Sequence, residues 1–349
     1  MMKQIIINGR FLTQKPTGVN RFAYEICKAL QNLKLNFVLI VPKKHVLEDY
    51  DISNFQIEYV EGFSSHLWDF ISLPKYLGKI KCEYLLLTFT GLGPIFDKNH
   101  IVTVHDLAFL ENPSWYSKKY YYFYKLFTPI LIRRAKLVLT VSEFSKNEIL
   151  KYYPFAKGKI EVIYNAISDS IIDRERKPIS EKYFLAVSSI DPRKNFARLI
   201  AAFKKAHIPN IKLYIIGKYD RVFAMNNDLN VHVDNVEFLG YVDNIELARY
   251  YSNAIALIYP SLYEGFGIPP MEAIANKCPV LLSDIPVFHE IYGDSVKYFD
   301  PYDVDDISNK LKQAIGYVDS ELYENMELMV SKYSWEKSAN KILKILEYF

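Results

Sequence analysis

Short runs of consecutive apolar residues recur along the chain, among them KQIIIN (3–8), FVLIV (37–41), EYLLLTF (83–89), IVTVH (101–105) and LVLTV (137–141). They are continuous rather than alternating, which is the pattern of parallel strands buried on both faces. Segments of helical character separate them, such as GVNRFAYEICKALQNL (18–33) and SEFSKNEILKYY (142–153), the second with Ser142 as its N-cap. This strand–helix rhythm predicts an α/β domain built on a doubly wound sheet over residues 1–167. The pattern is lost in SDSIIDRERKPISEK (168–182), a charged stretch that reads as a linker. It resumes with YFLAVSS, KLYIIG, VEFLG, ALIYPS, PVLLSD and VKYFD, predicting a second doubly wound domain over 183–330. Residues 331–349 are expected to form a C-terminal helix that packs back toward the first domain.

Two domains also suit the length, since 349 residues exceed what one hydrophobic core usually serves. Sheets of this kind bind ligands beyond the carboxyl ends of their strands, so the expected site is a central cleft between two Rossmann-like domains. A net charge of +3 removes any general electrostatic case for nucleic acid as a partner. Cys27, Cys82 and Cys278 are far apart and show no metal-ligand or redox spacing, which fits a reducing cytoplasm. No apolar run approaches the ~20 residues that cross a bilayer, and the N-terminus lacks a signal-peptide core. The expected location is therefore cytoplasmic, at most peripheral to a membrane.

The loops after the strands carry the chemistry. In YEGFGIPPMEA (263–273), Gly265 and Gly267 allow close backbone approach to a ligand, and Pro269 and Pro270 suit the first turn of the helix that follows. Free amides at a helix start attract phosphate, while Glu264 and Glu272 can each accept hydrogen bonds from paired sugar hydroxyls. The plainer alternative is a capped surface helix whose acids complement its dipole. In SSIDPRKNFARLI (188–200), Arg193 and Lys194 fall at the expected start of a helix, where cations are unfavourable unless an anion faces them. A solvated basic loop is the alternative there. PTGVNRFAYEI (16–26) is a turn into a helix with Gly18 and Asn20, much weaker than a full dinucleotide fingerprint. His105 and Asp106 close the strand IVTVH.

No metal site or cofactor is expected. The Asp-x-Asp pattern considered for a metal, Asp303 to Asp305 followed by Asp306, lies before a helical segment where acids serve as caps.

In order along the chain, GVNRFAYE, VTVHDLAF, VLTVSEFSK, PRKN, FLGYV, PSLYEGFGIPPMEA, PVLLSDIP, YFDPYD and YSWEKSA resemble the family-4 retaining glycosyltransferases of GT-B fold, of the kind that builds bacterial cell-surface polysaccharide. The resemblance covers nearly the whole chain. It implies that Gly18 lies near the donor diphosphate, His105 near the transferred sugar, and Arg193 and Lys194 against the phosphates. By the same resemblance Glu264 touches the donor sugar and Glu272 the ribose, while the amides of Gly265, Phe266, Gly267 and Ile268 complete these contacts. Gly217 and Tyr241 then lie in loops around the base. Two positions depart from the family pattern: Asn20 replaces the second glycine of the usual Gly-x-Gly loop, and Ser189 stands where some members carry a further Arg.

The implied reaction is metal-independent hexosyl transfer, of mannose, glucose or rhamnose type, from a GDP-, UDP- or dTDP-linked donor to a glycan or lipid-linked acceptor. Residues 115–136 mix aromatic and basic side chains and are expected either to line the acceptor groove, to contact a membrane peripherally, or to pack as an amphipathic helix. A nucleotide-sugar epimerase of the same architecture and a non-catalytic nucleotide-sugar-binding subunit are the competing readings.

Overall fold

A computed structural model describes residues 3–43, 46–48, 50–175, 177–218, 234–316 and 320–349. The chain forms two compact units: Met1–Leu107 with Tyr122–Asn165 and Ser334–Phe349, and Ala108–Tyr121 with Ala166–Tyr333.

The first unit holds β1 (Gln4–Asn8), β2 (Phe37–Pro42), β3 (Ile57–Val60), β4 (Tyr84–Thr88), β5 (His100–Thr103), β6 (Leu137–Thr140) and β7 (Ile160–Val162). They pair in parallel in the order β3-β2-β1-β4-β5-β6-β7. All six residues of β2 are buried, as the continuous apolar run requires of a strand covered on both faces. The helix Gly18–Asn32 turns Phe22, Ile26 and Leu30 inward and is capped by Thr17, whose hydroxyl accepts from Asn20 N. Against it lies the terminal helix Trp335–Leu346, with Trp335 edge-on to Phe22 at 5.9 Å and Ser338 donating to the Tyr164 carbonyl at 2.7 Å. Burying Ile342 and Ile345 on that helix contributes about 1.5–3 kcal/mol apiece, which keeps it in the first unit.

The second unit holds β8 (Tyr183–Val187), β9 (Lys212–Ile216), β10 (Val236–Gly240), β11 (Leu257–Tyr259), β12 (Val280–Ser283) and β13 (Lys297–Phe299). Their parallel order is β10-β9-β8-β11-β12-β13. One face of this sheet is covered by Phe196, Leu199 and Phe203 from the helix Phe196–Ala206 and by Ile307 and Leu311 from Val304–Ala314. In each sheet the winding direction reverses once, between β1 and β4 and between β8 and β11. Loops leaving the carboxyl ends of those strands diverge there, and the space so opened is where such sheets take ligands.

The stretch 168–182 is tied to the second unit by backbone hydrogen bonds. Asp173 N donates to Asn276 Oδ1 at 2.7 Å, Asn276 Nδ2 to the Ile171 carbonyl at 2.8 Å, and Ile179 N to Asn253 Oδ1 at 3.0 Å. Its polar composition carried no sign of this, because main-chain groups make most of the contacts.

Candidate active site

Loops at the carboxyl ends of β8 and β11, neighbours at the winding reversal, bring together an ionic cluster. Asp191 caps the turn Pro192–Lys194 by accepting from Arg193 N, and Asn195 follows in the left-handed region before the helix Phe196–Ala206 begins. Arg193 and Lys194 therefore lie in a tight turn ahead of the helix rather than at its first residues. Their anion is internal. Lys194 Nζ reaches Glu264 Oε1 at 2.5 Å and Arg193 Nη1 reaches Oε2 at 3.1 Å, so one carboxylate spans both cations. Arg193 Nη1 also donates to the Tyr263 carbonyl at 3.0 Å, and Lys194 to the Tyr259 hydroxyl at 3.3 Å.

All three charged side chains are buried, at 10%, 6% and 8% exposure. Burial alone would raise the Glu264 carboxyl, but Lys194 and Arg193 outweigh it and hold the group at about 2. Burial likewise lowers Lys194, with the Arg193 charge adding to it and Glu264 opposing. Asp191 lies 3.9 Å from Arg193 Nε, so two cations here face two carboxylates. Ser189 donates to Asp191 Oδ2 at 2.8 Å and so braces the same turn.

Glu272 sits eight residues beyond Glu264 on the helix Ile268–Ala275, almost fully buried, and accepts from the Tyr251 hydroxyl at 3.1 Å. Gly267 caps that helix at φ +92°, and a Cβ there would meet the Phe288 ring at 2.6 Å, so the turn requires glycine twice over. Gly265 and Phe266 complete the turn, Phe266 edge-on to Tyr333 at 5.7 Å. Gly217, after β9, passes so close to the Ser188 carbonyl that a Cβ would lie 1.7 Å from it. Tyr241, after β10, is exposed, with Lys218 over its ring at 4.5 Å.

In the first unit the expected residues also fall at strand carboxyl ends. Gly18 opens the helix after β1, and Asn20 within it donates from Nδ2 to the Lys15 carbonyl at 2.9 Å, closing the loop that a second glycine would leave loose. His105 follows β5; its Nε2 donates to the Phe89 carbonyl at 2.9 Å and its ring meets Phe22 edge-on at 5.0 Å. Burial lowers the His105 pKa, opposed by the Phe89 contact and by Asp106, so the ring is neutral. With the proton on Nε2, Nδ1 is an acceptor.

Two family models match the chain: Glycosyltransferase Family 4 over residues 16–170 and Glycosyl transferases group 1 over 168–327. The O-antigen chain mannosyltransferase RfbU of Salmonella typhimurium is 36% identical over 250 residues, which cover 68% of this chain and 69% of that protein. The chain belongs to glycosyltransferase family 4. Among solved structures, sucrose-phosphate synthase from Thermosynechococcus elongatus superposes with TM-score 0.76 at 17% identity, covering 100% of this chain and 99% of that one. Anabaena HepE in complex with UDP-glucose gives 0.72 at 15% identity with 100% of both chains covered. The fold of this glycosyltransferase is thus GT-B, an α/β architecture of two parallel-sheet units.

Several residues of the candidate site carried no signal in the sequence. Asp191, Tyr259, Tyr251 and Asn276 hold the charged groups or their helices in place, yet lie in segments that read only as strand, turn or helix. Asp303 is engaged as a helix cap, accepting from Asp305 N at 2.7 Å, and Asp306 accepts from Asp300 N at 2.8 Å. Within 115–136 the helix Lys118–Arg134 exposes Tyr122 and Leu126. Phe123 and Phe127 on its other side contact Phe70 at 6.0 and 5.4 Å, on a turn that exposes Leu67 and Ile71. No helix among the described residues is long and apolar enough to cross a membrane.

Proposed function

We propose that this glycosyltransferase moves a hexosyl group, of mannose, glucose or rhamnose type, from a nucleotide-sugar donor to a glycan or lipid-linked acceptor, with retention at the anomeric centre and without a metal ion. The observation that carries the reading is the pair of cations, Arg193 and Lys194, fixed by Glu264 at the winding reversal of the second sheet. Negative charge grows on the nucleoside diphosphate as its bond to the sugar breaks. Two pre-placed cations and the amides of Gly265 to Ile268 at a helix start stabilise that charge without reorganising.

Glu264, already ionised, then accepts from hydroxyls of the transferred sugar, and Glu272 from the ribose. Gly18 approaches the diphosphate, Gly217 and Tyr241 border the base, and His105 offers Nδ1 to a sugar hydroxyl. The departing phosphate takes the acceptor proton while attack comes from the leaving-group face, so no side-chain nucleophile is needed. RfbU, a mannosyltransferase by name, and HepE, solved with UDP-glucose, favour a nucleotide-linked hexose as the donor. The exposed pairs Tyr122 with Leu126 and Leu67 with Ile71 suit an acceptor carried on lipid, with peripheral contact at the inner membrane face.

The test is incubation of purified protein with GDP-mannose, UDP-glucose and dTDP-rhamnose, with and without acceptor glycan, followed by NMR of the product. Transfer that keeps the donor's anomeric configuration is expected. Epimerised nucleotide sugar appearing without acceptor would overturn the reading in favour of an epimerase.

A further inference from the structure

We infer that Tyr251 is a positioning residue for the nucleotide pocket, and that the Tyr251–Glu272 pair makes this enzyme select ribonucleoside over 2′-deoxyribonucleoside diphosphate donors. The inference rests on the reading of Glu272 as the ribose-binding residue and narrows it, removing dTDP-linked sugars from the preferred donors.

Tyr251 lies on the helix Asn244–Asn253 and is fully buried. A phenylalanine would fill the same volume, so what the tyrosine adds is the hydroxyl, and that hydroxyl donates to Glu272 Oε2 at 3.1 Å. Glu272 is held from its main chain as well. Asn276 Nδ2 donates to the Glu272 carbonyl at 2.8 Å and to the Ile171 carbonyl at 2.8 Å, while its Oδ1 accepts from Asp173 N at 2.7 Å. The helix bearing Tyr251 is bound to the same stretch of chain, with Arg249 donating to the carbonyls of Lys177 and Pro178 at 3.3 and 3.1 Å.

Glu272 is thus held at its main chain by Asn276 and at one carboxylate oxygen by Tyr251. A carboxylate whose rotamer is set can meet two vicinal hydroxyls at once. A site built to hydrogen-bond a hydroxyl rejects the analogue that lacks it, because a buried acceptor then goes unsatisfied. Tyr251 does not touch the nucleotide; it acts through Glu272.

Calorimetry with UDP, GDP and their 2′-deoxy counterparts tests this on the full chain. The wild type is expected to bind the ribo forms at least about tenfold more tightly, the effect of one charge-assisted hydrogen bond. Tyr251→Phe is expected to bring ribo and deoxy affinities within about twofold of each other while leaving the deoxy affinity unchanged, which also shows that the variant is folded. The double variant Tyr251→Phe/Glu272→Gln removes both ends of the buried bond and is expected to be no worse than Glu272→Gln alone.

If the wild type does not discriminate and Glu272→Gln changes nothing, the ribose reading of Glu272 fails and the inference with it. If Glu272→Gln abolishes discrimination but Tyr251→Phe retains it, the ribose reading stands and the role of Tyr251 is overturned. A double variant weaker than Glu272→Gln toward the deoxy ligands also overturns it, since Tyr251 would then act on the fold and not through Glu272.

Discussion

Replacing Glu264 by glutamine removes one charge from the buried cluster and keeps its shape. Burial works against the ionised carboxyl, yet Lys194 and Arg193 bring it from an ordinary 4.5 to about 2. A carboxyl lowered on folding adds stability that is full above its unfolded value and is lost as pH falls through its folded value. The interval from 4.5 to about 2 amounts to about 3 kcal/mol at neutral pH, all of it surrendered by a group that cannot ionise. Glutamine still accepts one hydrogen bond, so Glu264→Gln is expected to lose about 2–3 kcal/mol at pH 7.

The gap should hold down to about pH 4.5, shrink below it and close near pH 2, where Glu264 is itself protonated. Denaturant titrations of the two proteins, followed by circular dichroism at matched pH, measure it. Calorimetry adds a second readout: in the proposed site Glu264 would compete with phosphate for both cations, so the variant should bind nucleoside diphosphate at least as well as the wild type. Transfer meanwhile should fall about tenfold to a hundredfold. A stability gap that stays constant from pH 7 to pH 2 would refute the electrostatic account. Parallel loss of diphosphate affinity and turnover would refute the assignment of Glu264 to the sugar.

Turnover should persist in excess EDTA if, as proposed, fixed cations and helix amides take the developing charge; activity lost and restored only by magnesium or manganese would contradict this. His105→Ala is expected to lower kcat by about tenfold or more while leaving nucleoside diphosphate affinity within about twofold, as measured by steady-state kinetics beside calorimetry. Exchanging Tyr122 and Leu126 for serine should weaken sedimentation with anionic liposomes and leave transfer to a water-soluble acceptor unchanged, whereas equal sedimentation of both proteins would remove that face from membrane contact.

The central strands were legible because burial on both faces leaves an unbroken apolar run, as in β2 and β8, each buried along its whole length. The edges were not. β3 reads IEYV with two exposed residues, and β7 has only three residues, so neither carries enough apolar contrast to stand out. The turn Trp68–Ser72, a single wide helical turn bearing a buried Asp69 paired with Arg10 at 2.9 Å, gave no signal either, since a polar residue there reads as surface. Arg193, Lys194, Glu264 and Glu272 stood out locally, as charged groups in or just beyond loops that follow apolar strands, whereas Ser189 was marked only by the family resemblance.

What local pattern could not supply is who meets whom. Arg193 and Glu264 are 71 positions apart, and Asn276 lies 105 positions from its partner Ile171. Only the strand order, which seats β8 beside β11, turns that separation into a contact. Cations ahead of a helix call for an anion, and the anion in place is the carboxylate of Glu264, a neighbour that local sequence cannot supply. The consequence is chemical. Asp191 and Glu264 face Arg193 and Lys194, so the diphosphate of the proposed donor would enter a cluster of balanced charge and share the cations with the carboxylates. Paired in this way two buried cations stay ordered, which an unpaired pair could not do without losing a proton or drawing in water.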